Sequence, residues 1–163
     1  MYKVLFVCTG NICRSPTAEG VFKKKVELAG LGDVISVDSA GISGWHAGEP
    51  PDVRAADTAL NNGVDIGSLR ARKVVRDDFK DFDLIIALDT THFRALEEMR
   101  PGFSPDHDRA VLDLMMRFAP QYGTQDVPDP YFGGKEGFQN VFDMIESACE
   151  SLLNYIREQG YAG

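Results

Sequence analysis

The chain has 163 residues, of which 44% are hydrophobic and 26% charged, the balance of a folded globular domain and not of a disordered segment. Its net charge of -8 argues against salt-driven binding to nucleic acid, which needs a basic surface. No apolar run approaches the ~20 residues of a membrane span, and the run at 4–7 is too short for a signal-peptide core. We therefore expect one domain over residues 1–163, cytoplasmic, with no membrane insertion and no nucleic-acid partner.

Strand and helix patterns alternate along the chain. Short apolar runs predict strands at residues 4–7, 34–37, 84–88 and 110–114. Helical spacing predicts four helices. The first runs from Pro16 to near Gly30, and the second covers 54–62 with Gly63 as its stop. The third is begun by Asp89 or Thr90 and ended by Pro101 and Gly102, and the long last one has an apolar stripe from Phe138 to Ile156. Strand followed by helix four times predicts an α/β fold, a four-stranded parallel sheet with helices on both faces.

The loop after the first strand is the first place to look for a ligand, because the sites of parallel sheets lie beyond the carboxyl ends of the strands. It reads Cys-Thr-Gly-Asn-Ile-Cys-Arg-Ser over residues 8–15, and we call it the phosphate loop. Gly10 and Asn11 allow the backbone to curl with its N–H groups inward at the beginning of a helix, which is typical of an anion site. Arg14 adds a fork of donors for two phosphate oxygens.

Cys8 would lie at the bottom of this anion site. The positive surroundings that bind phosphate also favour the thiolate form of a cysteine. The Ser15 hydroxyl can donate a hydrogen bond to that thiolate, cap the helix, or do both. The alternative interpretation, a buried cysteine at a strand end and a surface arginine, does not explain why glycine, asparagine, arginine and serine cluster here.

The remaining cysteines and the histidines give no sign of a metal site. Cys13 and Cys149 show no zinc-ligand spacing with the three histidines, so we expect reduced thiols, no metal and no cofactor. Cys149 lies on the last helix's apolar stripe and is predicted to be core. His46 and His92 have no paired carboxylate in a motif, and we expect both to be structural or on the surface.

Residues 4–16, Val-Leu-Phe-Val-Cys-Thr-Gly-Asn-Ile-Cys-Arg-Ser-Pro, resemble the signature of the low-molecular-weight protein tyrosine phosphatases of bacterial type. Asp-Pro-Tyr-Phe-Gly at 129–133 resembles their second signature, and 38–41 and 45–48 resemble further family segments. The similarity covers essentially the whole chain. It implies a flavodoxin-like three-layer sandwich and hydrolysis of phosphotyrosine through a cysteinyl-phosphate intermediate.

The resemblance also assigns roles to residues. Asp129 falls on the family's general acid, on a loop stiffened by Pro128 and Pro130, whereas Asp126 matches no motif. The resemblance implies Cys8, Arg14, Ser15 and Asp129 as catalytic residues; Thr9, Gly10, Asn11, Ile12, Cys13, Trp45, Tyr131 and Phe132 as substrate-binding residues; and Ser39, Arg72 and Asp89 as supporting residues. Trp45 and Tyr131 would be opposite walls of the pocket. Phe132 stands where many relatives carry a second tyrosine, and Asp89 has helix capping as its simpler role.

Cys13 has two interpretations. It is either a small apolar filler in the loop or the partner of Cys8 in a reversible disulfide that protects the nucleophile from over-oxidation. The resemblance supports the second.

Two other functions are weighed against phosphatase activity. A thiol-linked arsenate reductase has a similar fold and loop, but it needs further redox cysteines, and residues 84–108 contain none. A phosphotyrosine-binding module without turnover would be expected to lack Cys8 or Asp129. The implied partner is a tyrosine-phosphorylated protein, a bacterial tyrosine kinase being one example, and we expect the chain to be a monomer.

Overall fold

The computed structural model describes residues 1–100 and 108–160, and for Phe132 the backbone alone. Four strands form one all-parallel sheet: β1 Tyr2–Cys8, β2 Ile35–Gly41, β3 Leu84–Ala87 and β4 Val111–Leu114. Their order in the sheet is β2-β1-β3-β4. The chain leaves β1 for β2 on one side and returns to β3 on the other, so the order reverses beside β1. A crevice forms at such a point, at the carboxyl ends of the strands.

Helices cover both faces of this sheet, which confirms the predicted α/β fold. They are α1 Arg14–Leu28, α2 Val53–Asn61, α3 Asp78–Asp81, α4 Thr90–Met99 and α5 Gly134–Glu158, with short 3₁₀ turns at Met115–Phe118, Pro120–Tyr122 and Pro130–Phe132. Within residues 1–100 and 108–160, none of the helices has the length and apolar character needed to cross a membrane.

The alternation of side chains along β1 builds a core on each face. Val4 and Phe6 belong to the core shared with α1 and α5, and Leu5 and Val7 to the core shared with α3 and α4. All four side chains are completely buried, as expected for a strand in the middle of a parallel sheet. The phosphate loop therefore begins from a strand that is packed on both faces.

The structure corrects the predictions mainly at the ends of elements. The strand predicted at 34–37 was too short, because the polar Asp38 and Ser39 ended the apolar run. In the structure β2 covers residues 35–41, and both of these side chains have hydrogen-bond partners. The helix predicted over 54–62 covers 53–61, and the strands predicted at 84–88 and 110–114 cover 84–87 and 111–114. The short helix α3 carried too few residues to show a helical period and was not predicted.

Helix caps gave one wrong prediction and one correct one. Ser15 does not cap α1, because the helix already begins at Arg14 and its N-cap is Cys13, which makes no side-chain cap hydrogen bond. Asp89 does cap α4, where its carboxylate accepts a hydrogen bond from the His92 N–H. The predicted stops of that helix, Pro101 and Gly102, lie outside the described residues.

Candidate active site

The phosphate loop joins the end of β1 to the beginning of α1 and curls as its sequence predicted. Asn11 has a φ of 58°, a left-handed conformation that asparagine tolerates better than most residues. Gly41, at the end of β2, lies against the loop: a Cβ there would come within 2.8 Å of the Thr9 carbonyl oxygen and 3.1 Å of the Asn11 nitrogen. The absence of a side chain at Gly41 therefore makes room for the loop backbone.

The loop forms the floor of a cavity of about 160 Å³. Most of the expected site residues line it: Cys8, Thr9, Gly10, Ile12, Cys13, Arg14, Trp45, Asp129 and Tyr131, together with Ser43 and His46. Cys8 is buried, with 3% of its surface exposed. The structure thus brings together two segments about 120 positions apart in the sequence, the phosphate loop and the Asp129 loop.

Hydrogen bonds around Asn11 set the direction of the Ser15 hydroxyl. The Asn11 amide nitrogen donates to Ser15 Oγ at 2.7 Å and to Ser39 Oγ at 2.9 Å. Since Ser15 Oγ accepts from Asn11, its own proton points to another acceptor: Cys8 Sγ lies 2.9 Å away, and the Ala40 carbonyl oxygen is more distant at 3.4 Å. A hydrogen bond to sulfur stabilises the thiolate over the thiol. The predicted contact between Ser15 and Cys8 is therefore present in the structure.

This chain of hydrogen bonds continues away from the cavity. Ser39 Oγ donates to Glu19 Oε1 at 2.6 Å, and the Arg72 backbone N–H donates to Asn11 Oδ1 at 3.0 Å. Burial raises the pKa of the Glu19 carboxyl. Ser39 was predicted as a supporting residue, whereas Glu19, in the middle of a helical pattern, carried no signal in the sequence.

Arg72 reaches the site by its backbone and not by its side chain. Its guanidinium pairs with Asp38 at 3.1 Å and with Asp78 at 3.1 Å. The two carboxylates hold this segment beside β2, and the segment in turn presents the N–H that orients the Asn11 amide.

Arg14 is held by groups from two other parts of the chain. Its Nη1 donates to Asp89 Oδ2 and to the Val127 carbonyl oxygen, both at 2.8 Å. The guanidinium is 6% exposed, so this ion pair is largely shielded from solvent. Asp89 therefore contacts Arg14 with one carboxylate oxygen and caps α4 with the other.

His92 contacts the phosphate loop. The sequence did not indicate this contact, because His92 belongs to no motif. Its Nε2 is 2.8 Å from Thr9 Oγ1 and 3.3 Å from Arg14 Nη2. Because a guanidinium only donates, Nε2 must be the acceptor and Nδ1 must carry the proton. Nδ1 lies 3.2 Å from Asp89 Oδ1, although without hydrogen-bond geometry. Burial and the nearby Arg14 lower the pKa of His92 to about 4, so the ring is neutral at neutral pH.

Asp129 is exposed, and the segment that carries it is anchored on both sides. We call residues 127–131 the acid loop. The Val127 N–H donates to the Leu88 carbonyl oxygen at 2.9 Å. On the other side, the Tyr131 carbonyl oxygen accepts from Arg54 at 2.9 Å. Asp129 itself accepts from the Tyr131 N–H at 3.0 Å, which leaves its second carboxylate oxygen available at the cavity.

Two exposed aromatic residues stand at the cavity's rim. Trp45 is 91% exposed and Tyr131 is 49% exposed, although both line the cavity. Large apolar side chains this open to solvent offer contact area to a ligand. The side chain of Phe132, predicted to bind substrate, lies outside the described residues.

Asp126, Cys149 and Cys13 make contacts that stabilise the fold. Asp126 accepts from the Thr90 N–H at 2.8 Å and so supports the beginning of α4. Cys149 is fully buried in the core, and burial raises the pKa of its thiol. Cys13 packs with Ala55 and Phe138, and burial raises its thiol pKa to about 12. In the described ranges no three His, Cys, Asp or Glu side chains come together in a way that could hold a metal ion.

Comparisons with known proteins agree with this geometry. A family model described as low molecular weight phosphotyrosine protein phosphatase matches residues 3–162. A low molecular weight protein-tyrosine-phosphatase of Streptomyces coelicolor is 44% identical over 160 residues, 97% of this chain and 95% of that protein. The low molecular weight protein-tyrosine-phosphatase YfkJ of Bacillus subtilis is 39% identical over 98% of each chain. The crystal structure of a protein tyrosine phosphatase from Entamoeba histolytica superposes with a TM-score of 0.89 at 38% identity, covering 98% of this chain and 99% of that one.

Proposed function

The chain belongs to the low molecular weight phosphotyrosine protein phosphatase family and is a protein-tyrosine phosphatase, a hydrolase, and from this premise we propose which of its residues carry the reaction. The proposal gives Cys8 the role of nucleophile, Arg14 and the phosphate loop that of phosphate receptor, and Asp129 that of general acid. The observation that carries it is the position of Cys8, at the floor of a cavity that Arg14 and Asp129 also line.

In the first step the Cys8 thiolate attacks phosphorus. The Ser15 hydroxyl, 2.9 Å from Cys8 Sγ, donates a hydrogen bond to the attacking sulfur. Inward N–H groups of the loop and the Arg14 fork bind the phosphoryl oxygens and stabilise the charge that spreads over them in the transition state. The sulfur–phosphorus bond forms while the bond from phosphorus to the tyrosyl oxygen breaks.

Asp129 gives its proton to the departing tyrosyl oxygen. A carboxylic acid placed in this way typically contributes ~10² to 10⁴-fold to the rate. In the second step the Asp129 carboxylate takes a proton from water, whose oxygen attacks the cysteinyl phosphate and releases inorganic phosphate and the thiolate. Arg14 and the loop supply the electrostatic stabilisation throughout, which is why the proposal requires no metal or cofactor.

The substrate is a tyrosine-phosphorylated protein. Trp45 and Tyr131, exposed at the rim, would hold the flat ring of a phosphotyrosine between them, with Ile12 as an apolar contact and Phe132 following Tyr131 in the sequence. A bacterial tyrosine kinase that carries phosphotyrosine itself is one protein of this kind. We further propose that the chain acts as a monomer in the cytoplasm, as one catalytic domain.

The proposal is tested by phosphate release from a phosphotyrosyl peptide in the presence of EDTA and a reducing agent. The wild-type chain should turn over, and Cys8→Ser should not, while still binding the peptide. Release that survives Cys8→Ser, or that EDTA abolishes in the wild type, would overturn the assignment. If neither chain releases phosphate, arsenate reduction and stoichiometric peptide binding distinguish the two alternative functions.

Cys13 is the proposed resolving cysteine of a reversible redox switch. Its raised thiol pKa keeps it protonated, so peroxide oxidises the Cys8 thiolate first and gives a sulfenic acid. The Cys13 sulfur then displaces that hydroxyl as water and forms the disulfide. Mild peroxide should inactivate the wild type and Cys149→Ala reversibly, and a thiol should restore both. Cys13→Ser should lose recovery; recovery equal to that of the wild type would refute the switch.

A further inference from the structure

Arg54, near the beginning of α2, contacts the acid loop through a hydrogen bond and a ring contact, and it contacts α5 through a second ring. Its Nη1 donates to the Tyr131 carbonyl oxygen at 2.9 Å. Its guanidinium lies 5.0 Å from the centre of the Tyr131 ring and 4.8 Å from the centre of the Phe138 ring. Phe138 belongs to the first turns of α5, which follow the acid loop directly. Arg54 therefore holds the acid loop where it turns into α5.

The same arginine is tied to the phosphate loop through Asp52. Arg54 Nε and Nη2 donate to the two Asp52 carboxylate oxygens at 3.1 and 3.0 Å. These hydrogen bonds lower the pKa of Asp52, so the pair stays charged at working pH. The Asp52 backbone N–H donates in turn to the Ile12 carbonyl oxygen at 2.8 Å. One side chain thus links the outer edge of the phosphate loop to the acid loop.

Asp129 lies between two anchors of the acid loop. On the Val127 side the loop is held by the Leu88 carbonyl oxygen and by Arg14, which belongs to the phosphate receptor itself. On the Tyr131 side the anchor is Arg54. An exposed carboxyl on a loop held at one end alone would sample many positions, whereas proton transfer needs it within hydrogen-bond reach of the leaving oxygen.

We propose that Arg54 is a positioning residue for the general acid, which locks the acid loop onto the phosphate loop so that the Asp129 carboxyl faces the leaving group. This inference rests on the proposed role of Asp129. Arg54 acts through the loop and does not itself touch the reacting atoms.

The planar fork of arginine is required for this role. Two guanidinium nitrogens donate to Asp52 while the third donates to the Tyr131 carbonyl oxygen, and the guanidinium carbon lies 5.0 and 4.8 Å from two ring centres. A lysine ammonium keeps the charge but cannot serve these directions together. Because the Arg54 side chain is 45% exposed, its ion pair contributes little to overall stability. Loss of Arg54 should therefore change catalysis more than folding.

The test is a series of aryl phosphates whose leaving phenols differ in acidity, assayed by kcat/KM. Leaving groups that depart unaided need no proton, whereas a tyrosyl oxygen does. Arg54→Met should lower kcat/KM about 10-fold for phosphotyrosine, and less than about 3-fold for the most acidic phenol. Arg54→Lys should lie close to Arg54→Met. The matched control is Arg70→Met, which removes an exposed arginine that donates to the nearby Gly67 and Leu69 carbonyl oxygens, and it should match the wild type.

A double-mutant cycle separates this inference from the proposed function. Asp129→Asn alone should steepen the dependence on leaving-group acidity; if it does not, the assignment of the acid fails, whatever Arg54 does. If it does, Arg54→Met should cause no further loss in the Asp129→Asn background. A full additional loss there, or an equal loss for all leaving groups, would overturn the positioning role. An unchanged inhibition constant for inorganic phosphate shows that the phosphate receptor itself is intact, and a raised one would also count against the inference.

Discussion

The polar side chains in this site are oriented by the hydrogen bonds that their neighbours make. Asn11 donates to both neighbouring serine oxygens, so the Ser15 proton points to another acceptor, and Cys8 Sγ is nearer to Ser15 Oγ than the Ala40 carbonyl oxygen is. His92 Nε2 accepts from the Arg14 guanidinium, so this nitrogen has to remain unprotonated. A protonated His92 would place two cations side by side in a buried position, which is why its titration is tied to the stability of the fold.

His92 predicts a dependence of stability on pH. Its pKa is about 4 in the folded chain, against an ordinary histidine pKa of 6.5, so between these values the unfolded chain binds a proton that the folded chain does not. The free energy of unfolding should therefore fall as pH decreases from about 6.5 to about 4, and this contribution should stop changing below that. Urea unfolding at pH 7 and pH 5 measures the difference.

His92→Gln should be less stable at pH 7, because it changes buried hydrogen bonds, but should lose less stability on going to pH 5. His46→Gln, at a position where the side chain is 41% exposed, is the control and should keep the wild-type difference. A wild-type difference retained in His92→Gln would assign the acid sensitivity to other groups.

Between elements, the end of β2 shapes the phosphate loop as much as the loop's own sequence does. Gly41 pairs with Cys8 across the sheet, and its missing side chain leaves space for the loop backbone. Gly41→Ala should displace this backbone and lower kcat/KM by about 10- to 100-fold, since misplacements near 1 Å can cost about 100-fold. The affinity for inorganic phosphate should fall as well.

Gly32→Ala is the control for this prediction, because a Cβ at that position meets nothing within 4 Å. Both variants are compared by kcat/KM and by the inhibition constant for phosphate. If Gly41→Ala performs like Gly32→Ala, the close approach of β2 does not constrain the loop.

The phosphate loop could be predicted from the sequence because its residues are neighbours in the chain. Eight consecutive residues contain Cys8, Asn11, Arg14 and Ser15. The strand before them and the helix after them follow local periodicity. Glu19, Arg54 and His92 could not be predicted as part of the site. Arg54 contacts the site across 77 positions and His92 across 83, and such contacts depend on packing that no local pattern encodes.

The site as a whole exists because of the order of the strands. β1 lies between β2 and β3, and the helices that follow β1 and β3 pack on opposite faces of the sheet. The loops after these two strands therefore separate, and Arg14 from one meets Asp89 from the other in the space between them. The sequence pattern predicted this architecture because a four-fold alternation of strand and helix is a property of the whole chain, which errors of a residue or two at the ends do not affect.

The central claim, that Cys8 carries the phosphoryl group between the two steps, is tested most directly by trapping the intermediate. The wild-type chain is mixed with a phosphotyrosyl peptide, quenched in acid during turnover, digested and analysed by mass spectrometry for the phosphorylated residue. The account predicts phosphate on Cys8, and none on the chain when Cys8→Ser is treated in the same way. Phosphate found on another residue, or turnover by Cys8→Ser at the wild-type rate, would contradict it.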